Sequence, residues 1–181
     1  NNGFFNATEN GTDHYTWAES ATGDFKNMDL SGEGQIISDE GATAGVWFSS
    51  FPAINTANGI LENAEAVGLD PALVAEVRFF RAFYYFLLVQ TYGGVPLDLG
   101  SGELAFNRSA VRTSTRNTVP EVYSKVIFPD LVTAVNDLPE NPRLTGTVTK
   151  NVARLILAKA YLTYGWWLEN PEGIPTYPEA P

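Results

Sequence analysis

The chain has 181 residues, 44% of them hydrophobic and 18% charged, which indicates a globular protein with its own core and excludes a disordered chain. The formal net charge of −10 argues against binding to nucleic-acid phosphates, which needs clustered Lys and Arg, and against electrostatic attachment to an anionic membrane. The absence of cysteine excludes disulfides, thiolate nucleophiles and cysteine metal ligands.

The first part of the chain, residues 1–45, is rich in Gly, Asn, Asp, Thr and Ser and shows no sustained hydrophobic period. We expect an irregular surface loop region with room for one short helix. A loop of this length in a compact protein is usually functional or disordered, so contacts to a ligand are to be sought here.

A first helix is predicted from Val46 to Ala66. Its apolar face is defined by residues that recur at spacings of four and three, with one asparagine among them: Trp47, Phe51, Ile54, Asn58 and Leu61. This periodicity is typical of a helix that packs one side against a core.

A second helix is predicted over residues 71–92, with signals at both ends. Asp70 suits the N-cap and Pro71 the first helical position, whereas Gly93 can take the positive φ that often ends a helix. The helix is apolar on nearly every face. Its longest run without a charged or amide side chain, from Ala82 to Val89, is far shorter than the roughly 20 residues of a membrane span, so a buried core helix is expected.

Charged side chains within this apolar helix need partners. Arg78 and Arg81 lie three residues apart, on one side of the helix, and Glu76 lies close by in sequence. Buried charges are costly unless they are paired. We therefore expect ion pairs with neighbouring helices, with Glu76 among the candidate partners.

A third helix is predicted from Val119 to Leu138. Thr118 and Glu121 have the spacing of a capping box, in which each side chain bonds the backbone N–H of the other residue. Pro129 lies inside the helix and should kink or interrupt it near residues 125–128.

A fourth helix is predicted from Lys150 to Trp167, and it shares a pattern with the second. Small alanines at the same place would let the preceding helix approach closely, as in tetratricopeptide helix pairs. Chance similarity between two amphipathic helices is the alternative. The four matched positions are Arg78, Ala82, Tyr85 and Phe86 in the second helix, and Arg154, Ala158, Tyr161 and Leu162 in the fourth.

Three segments resemble the signature of the SusD/RagB proteins: Glu76–Ala82, Tyr85–Val89 and Tyr92–Leu97. Ala75 stands where that family usually has Gly, and Gly94 where it often has Asp. The resemblance implies an all-α fold of antiparallel helix pairs of tetratricopeptide type with long irregular loops. It continues through the first, third and fourth predicted helices, at Trp47, Phe51, Ile54–Asn58, Glu121–Tyr123 and Leu157–Leu162.

The resemblance also implies a function and a place in the cell. SusD-like proteins are surface lipoproteins of the outer membrane that bind glycans without catalysis and deliver them to a TonB-dependent SusC-like transporter. The partners implied are therefore a glycan and that transporter, with no cofactor, and with a lipid anchor that this chain does not contain.

The resemblance divides the chain into three parts. Residues 1–45 form the irregular loop region, residues 46–168 a SusD-like helical region of two helix pairs, and residues 169–181 a Pro-rich tail. Because SusD-like proteins are usually much longer, we expect the chain to be part of a longer protein with a further C-terminal part.

The candidate ligand-binding residues lie in the first loop region. Aromatic rings stack on the apolar faces of sugars, and polar side chains bond the hydroxyl groups. Both kinds of side chain occur together at Asn10, Asp13, His14, Tyr15 and Trp17. The structural alternative is that Trp17 only fixes the loop to the helices.

The sequence offers little support for an enzyme or a metal site. His14 is the only histidine, and the Gly-x-Ser-x-Gly turn of many serine hydrolases is missing, so no residue is predicted to be catalytic or to bind a metal. Two alternatives remain open. One is a helical-repeat adaptor that binds peptides or proteins in a groove lined by helices. The other is an α-helical glycoside hydrolase with two acids about 5–10 Å apart.

Overall fold

The computed structural model describes residues 41–110 and 114–169, which form helices and loops without a β-strand among them. The prediction of an all-α fold is therefore confirmed. The chain divides into two compact units, Asn1–Pro52 and Ala53–Pro181. None of the helices in the described residues is long and apolar enough to cross a membrane.

Helix α1 spans Gly41–Asn63 and contains Pro52. It begins before the predicted start at Val46, so the last residues assigned to the loop region are helical. In the first unit, the rings of Trp47 and Phe51 contact each other with centroids 4.5 Å apart. The helix ends three residues before the predicted Ala66, in a turn that continues to Gly68, whose φ is 61°.

The second unit continues with helix α2 (Pro71–Tyr92), helix α3 (Val119–Val122), a π-helical turn (Tyr123–Ile127), helix α4 (Phe128–Asp137) and helix α5 (Lys150–Glu169). Helix α4 packs against both α2 and α5, so it lies at the centre of this unit. The core is built from apolar side chains of these elements, among them Phe79, Ala82, Tyr85, Leu88, Val122, Val126, Ile127, Leu131, Ala134 and Ala160.

Both ends of α2 have the predicted caps. The Asp70 carboxylate accepts a hydrogen bond of 2.8 Å from the backbone N–H of Ala72, and Pro71 is the first helical residue. Gly93 has a φ of 72° and donates its N–H to the carbonyl of Val89. A Cβ on Gly94 would lie 2.1 Å from the carbonyl oxygen of Asn117, so only glycine fits this exit turn.

The third predicted helix contains the expected cap and the expected interruption. The backbone N–H of Thr118 donates to the Glu121 carboxylate at 2.8 Å, and the N–H of Glu121 donates to the Thr118 hydroxyl at 3.4 Å. The run leaves α-helical geometry at Tyr123–Ile127, where the N–H of Phe128 reaches the carbonyl of Tyr123. This π-turn precedes Pro129, which has no N–H to donate.

The role predicted for Ala158 is wrong. Ala158 is exposed on α5, whereas Ala82 of α2 is fully buried. Tyr161 likewise is 52% exposed, although its counterpart Tyr85 is fully buried. Close packing of α5 depends instead on Ala153 and Ala160, because these are its fully buried alanines.

Candidate functional site

A buried cluster of charged and amide side chains joins α1, α2 and α4. Arg81, only 6% exposed, donates from Nε and Nη2 to the two carboxylate oxygens of Asp130, at 2.6 and 3.0 Å. Its Nη1 donates to the side-chain oxygen of Asn58 at 2.9 Å. This two-point pairing with a carboxylate is the geometry that makes a buried arginine tolerable.

Arg78 is the second arginine of the cluster. It is about one-third exposed and donates from Nη1 to Asp130 at 2.7 Å. The expected partners on a neighbouring helix are confirmed, but Glu76 is not among them, because its carboxylate pairs with Arg143 at 3.2 and 3.3 Å. Because the charged groups of the cluster pair with one another, its role is structural: it holds the helices together.

The loop after α2 is fixed to α1 by two asparagines that lie three residues apart on one helix face. The side-chain amide of Asn58 donates to the carbonyl of Ala105 at 3.2 Å. Asn55 donates to the carbonyl of Asn107 at 3.2 Å and accepts from its N–H at 2.7 Å. The loop backbone therefore has a defined position on α1 within the second unit.

The same loop is also organised by its own side chains. Asp98 accepts three backbone N–H bonds, from Gly100, Ser101 and Gly102, and the bonds from these amides lower the pKa of its carboxyl group. The side chain of Asn107 bonds the carbonyl of Leu99 and the N–H of Ser109. These polar side chains therefore form hydrogen bonds within the loop and stabilise its conformation.

Phe106 is the aromatic residue of this loop, and its ring packs against α1 and against the side chain of Arg108. A Cβ added to Gly59 would lie 2.9 Å from the ring, which shows how closely α1 approaches it. The guanidinium carbon of Arg108 lies 5.0 Å from the ring centroid, and Arg108 also pairs with Glu62 at 2.9 Å. Phe106 therefore holds the loop on α1.

A second aromatic group lies between the π-turn, α4 and α5. Phe128 and Tyr161 stack with centroids 4.5 Å apart, and Tyr164 and Trp167 stack at 5.9 Å. Tyr123 contacts Tyr164, and burial raises the pKa of its phenol. Of the two tryptophans near the end of α5, Trp167 stacks on Tyr164 and Trp166 is 66% exposed.

The predicted ligand-binding residues Asn10, Asp13, His14, Tyr15 and Trp17 lie outside the described residues. Their assignment stays a prediction. Asn55, Asn58 and Asn107, which anchor the loop after α2, are not among the predicted functional residues. The spacing of Asn55 and Asn58 is the one signal that could have pointed to them. Across residues 41–110 and 114–169, no group of three or more His, Asp or Glu side chains could hold a metal ion.

The chain matches the model of the SusD-like proteins over residues 2–162, and that family is described as starch-binding and associating with the outer membrane. SusD-like protein P2 of Formosa agariphila is 32% identical over 132 residues, which is 70% of this chain and 25% of that protein. The chain thus spans about a quarter of the length of this curated relative.

Solved structures show the same similarity. A SusD superfamily protein of Parabacteroides distasonis is 31% identical, with a TM-score of 0.59 over 68% of this chain and 26% of that chain. A laminarin-binding SusD-like protein is 25% identical, with a TM-score of 0.59 over 72% of this chain and 32% of that chain.

Proposed function

We propose, since this chain belongs to the SusD-like family, that it binds glycans at the bacterial cell surface without catalysing a reaction. The observation that carries the proposal is the family match over residues 2–162, in a family described as starch-binding. The laminarin-binding relative, at 25% identity, supports an oligosaccharide or polysaccharide as the class of ligand.

The cellular setting belongs to the same proposal. The family is described as associating with the outer membrane, which supports a surface lipoprotein at that membrane. In this setting the protein captures a glycan and delivers it to a TonB-dependent SusC-like transporter. Capture requires affinity alone, because no bond of the sugar is made or broken.

The proposed glycan contacts are the five residues of the N-terminal segment. The rings of Trp17 and Tyr15 stack on the apolar faces of the sugar, and Asn10, Asp13 and His14 bond its hydroxyl groups. The described loop after α2 supports this choice indirectly, because its ring and many of its polar groups already have partners within the protein.

The experiment is calorimetric titration of the full-length protein with laminarin, starch and xyloglucan, using wild type, Trp17→Ala and Phe48→Ala. Phe48 is 69% exposed on α1 and serves as the matched aromatic control. We expect Trp17→Ala to lose at least about tenfold in affinity, since an aromatic anchor is worth about 1.4 kcal/mol or more, and Phe48→Ala to bind as wild type does. Equal affinities of all three proteins would show that Trp17 does not contact the glycan and would contradict the N-terminal site. Binding of the wild type to none of the glycans would contradict the proposed function.

A further inference from the structure

The negative charge of the chain is unevenly distributed along the sequence. Residues 1–45 contain eight Asp and Glu against one Lys, a formal charge of −7. Residues 46–168 contain ten acidic and ten basic residues and are formally neutral, and residues 169–181 add three acids. The segment that carries the proposed glycan contacts is therefore also the segment that carries most of the negative charge.

Some of these acids lie close to the proposed contacts in every conformation of the chain. Glu9 directly precedes Asn10, and Glu19 follows Trp17 by two residues. Two residues of extended chain span at most about 7 Å, which is shorter than the Debye length of about 8 Å at physiological salt. Asp13 is itself one of the proposed contacts. A ligand at these residues therefore meets negative charge that dissolved salt does not fully screen.

The described part of the chain offers few free cations that could offset this charge. An anionic sugar is bound most favourably by a guanidinium group that pairs with its carboxylate or sulfate at two points. Five of the arginines in residues 41–110 and 114–169 already pair with carboxylates of the protein. The pairs, with N···O distances from 2.6 to 3.4 Å, are Arg78 and Arg81 with Asp130, Arg108 with Glu62, Arg143 with Glu76 and Arg154 with Glu140.

The lysines of the described residues do not form a cationic cluster either. Lys125 donates to both carboxylate oxygens of Glu103, at 2.8 and 3.0 Å, and to Glu121 at 3.3 Å. The other two, Lys150 and Lys159, both lie on α5. Nine residues of helix separate them by about 13.5 Å along the axis, so they are too far apart to hold one anionic group together.

We propose that the ligand is a neutral glycan, and that the negative charge of residues 1–45 selects against polysaccharides that carry carboxylate or sulfate groups. A ligand of like charge is repelled as it approaches, and it finds few guanidinium groups with which to pair. A neutral glycan is not repelled, because ring stacking and hydrogen bonds to hydroxyl groups need no counter-charge. This inference rests on the proposed function and narrows its class of ligand.

The test compares derivatives of one polysaccharide that differ in charge but are similar in bulk. Starch and laminarin are each used unmodified, as the neutral hydroxyethyl ether and as the anionic carboxymethyl ether, with the two ethers at the same degree of substitution. Calorimetry of the full-length protein measures each affinity in about 0.01 M and about 1 M NaCl, where the Debye length is about 30 Å and about 3 Å.

We expect the carboxymethyl ether to bind at least about tenfold more weakly than the hydroxyethyl ether at low salt, and this ratio to approach one at high salt. The double variant Glu9→Gln/Glu19→Gln should reduce the low-salt ratio. The matched control is Glu65→Gln/Asp137→Asn, which removes the same charge from two exposed acids of the helical region. Its ratio should equal that of the wild type.

Three results would contradict the proposal, and they differ in what they leave standing. Equal or tighter binding of the carboxymethyl ether at low salt would overturn the selection for neutral glycans and leave glycan binding intact. A ratio that both double variants reduce equally would overturn the role of residues 1–45 in that selection. Failure of the full-length protein to bind any of these polysaccharides would overturn the proposed function, and this inference with it.

Discussion

Asp130 accepts hydrogen bonds from two guanidinium groups while being 1% exposed, and it is the residue on which the buried cluster depends. Arg81 uses Nε and Nη2 on Asp130 and Nη1 on Asn58. One carboxylate thus fixes α4 to α2, and the same arginine fixes α2 to α1. The cluster explains why two arginines occur in an otherwise apolar helix.

Replacing Asp130 with alanine should lower the free energy of unfolding by about 3–5 kcal/mol, because it leaves Arg81 buried without its counter-charge. Asp137→Ala is the matched control, since Asp137 ends the same helix and is exposed. Urea denaturation of both variants measures the difference. A cost for Asp130→Ala no greater than that of the control would show that the cluster does not hold the helices together.

The capping box of α3 should make part of the stability depend on pH. Hydrogen bonds from the Thr118 N–H and hydroxyl, followed by one from Lys125, lower the pKa of Glu121 to about 2. Because the pKa is lower in the folded state than in the unfolded chain, the stabilisation is present above about pH 4.3 and is lost as the pH falls towards 2.

Comparison of wild type with Glu121→Gln by thermal unfolding between pH 7 and pH 2 tests this dependence. The variant should be less stable above pH 5, and the difference should shrink as the pH falls and vanish near the folded-state pKa. A difference that is constant over the whole range would mean that the charge of Glu121 does not contribute.

Among the features of the helices, the sequence predicts best those ends that are set by capping residues within one helical turn. The bounds of α2 follow from Asp70, Pro71 and Gly93, and the start of α3 follows from its capping box, because each of these signals acts within one helical turn. The start of α1 was missed, since the glycines and alanines before Val46 carry no capping signal and glycine disfavours a helix.

Contacts between distant positions could not be predicted in the same way. Asp130 is 49 residues from Arg81, and Asn107 is 52 residues from Asn55. The sequence shows that the arginines need partners, but several acids satisfy that need until the helices are placed in space. Glu76 is a reasonable candidate partner for the arginines because it is close in sequence. The packing of α4 against α2 places Asp130 beside Arg81 instead.

Two helical glycines give a test of how the loop after α2 is held. Gly59→Ala should destabilise the protein, because its Cβ would lie 2.9 Å from the Phe106 ring and push the loop off α1. Gly165→Ala on α5 meets no atom within 4 Å and should be neutral or stabilise by up to about 1 kcal/mol. Thermal unfolding of the two variants decides, and a Gly59→Ala protein as stable as the Gly165→Ala protein would contradict this packing.

For the whole molecule, the family was recognisable from sequence because its signature lies on the most buried helix. The residues that carry the resemblance on α2, from Glu76 to Val89, include Phe79, Ala82, Tyr85 and Leu88, all of which lie in the core. The same residues say nothing about the ligand, because they face the interior. The ligand assignment therefore depends on the family and on the N-terminal segment, where the proposed contacts remain predictions.

Glycan binding without catalysis is best tested in a single incubation of full-length protein with laminarin, in which binding and product release are followed together. Binding by calorimetry and reducing ends in the same mixture are the two readouts. Non-catalytic capture predicts saturable binding with a reducing-end content no higher than that of laminarin alone. New reducing ends that increase in proportion to protein concentration and time would show hydrolysis and would contradict a capture protein.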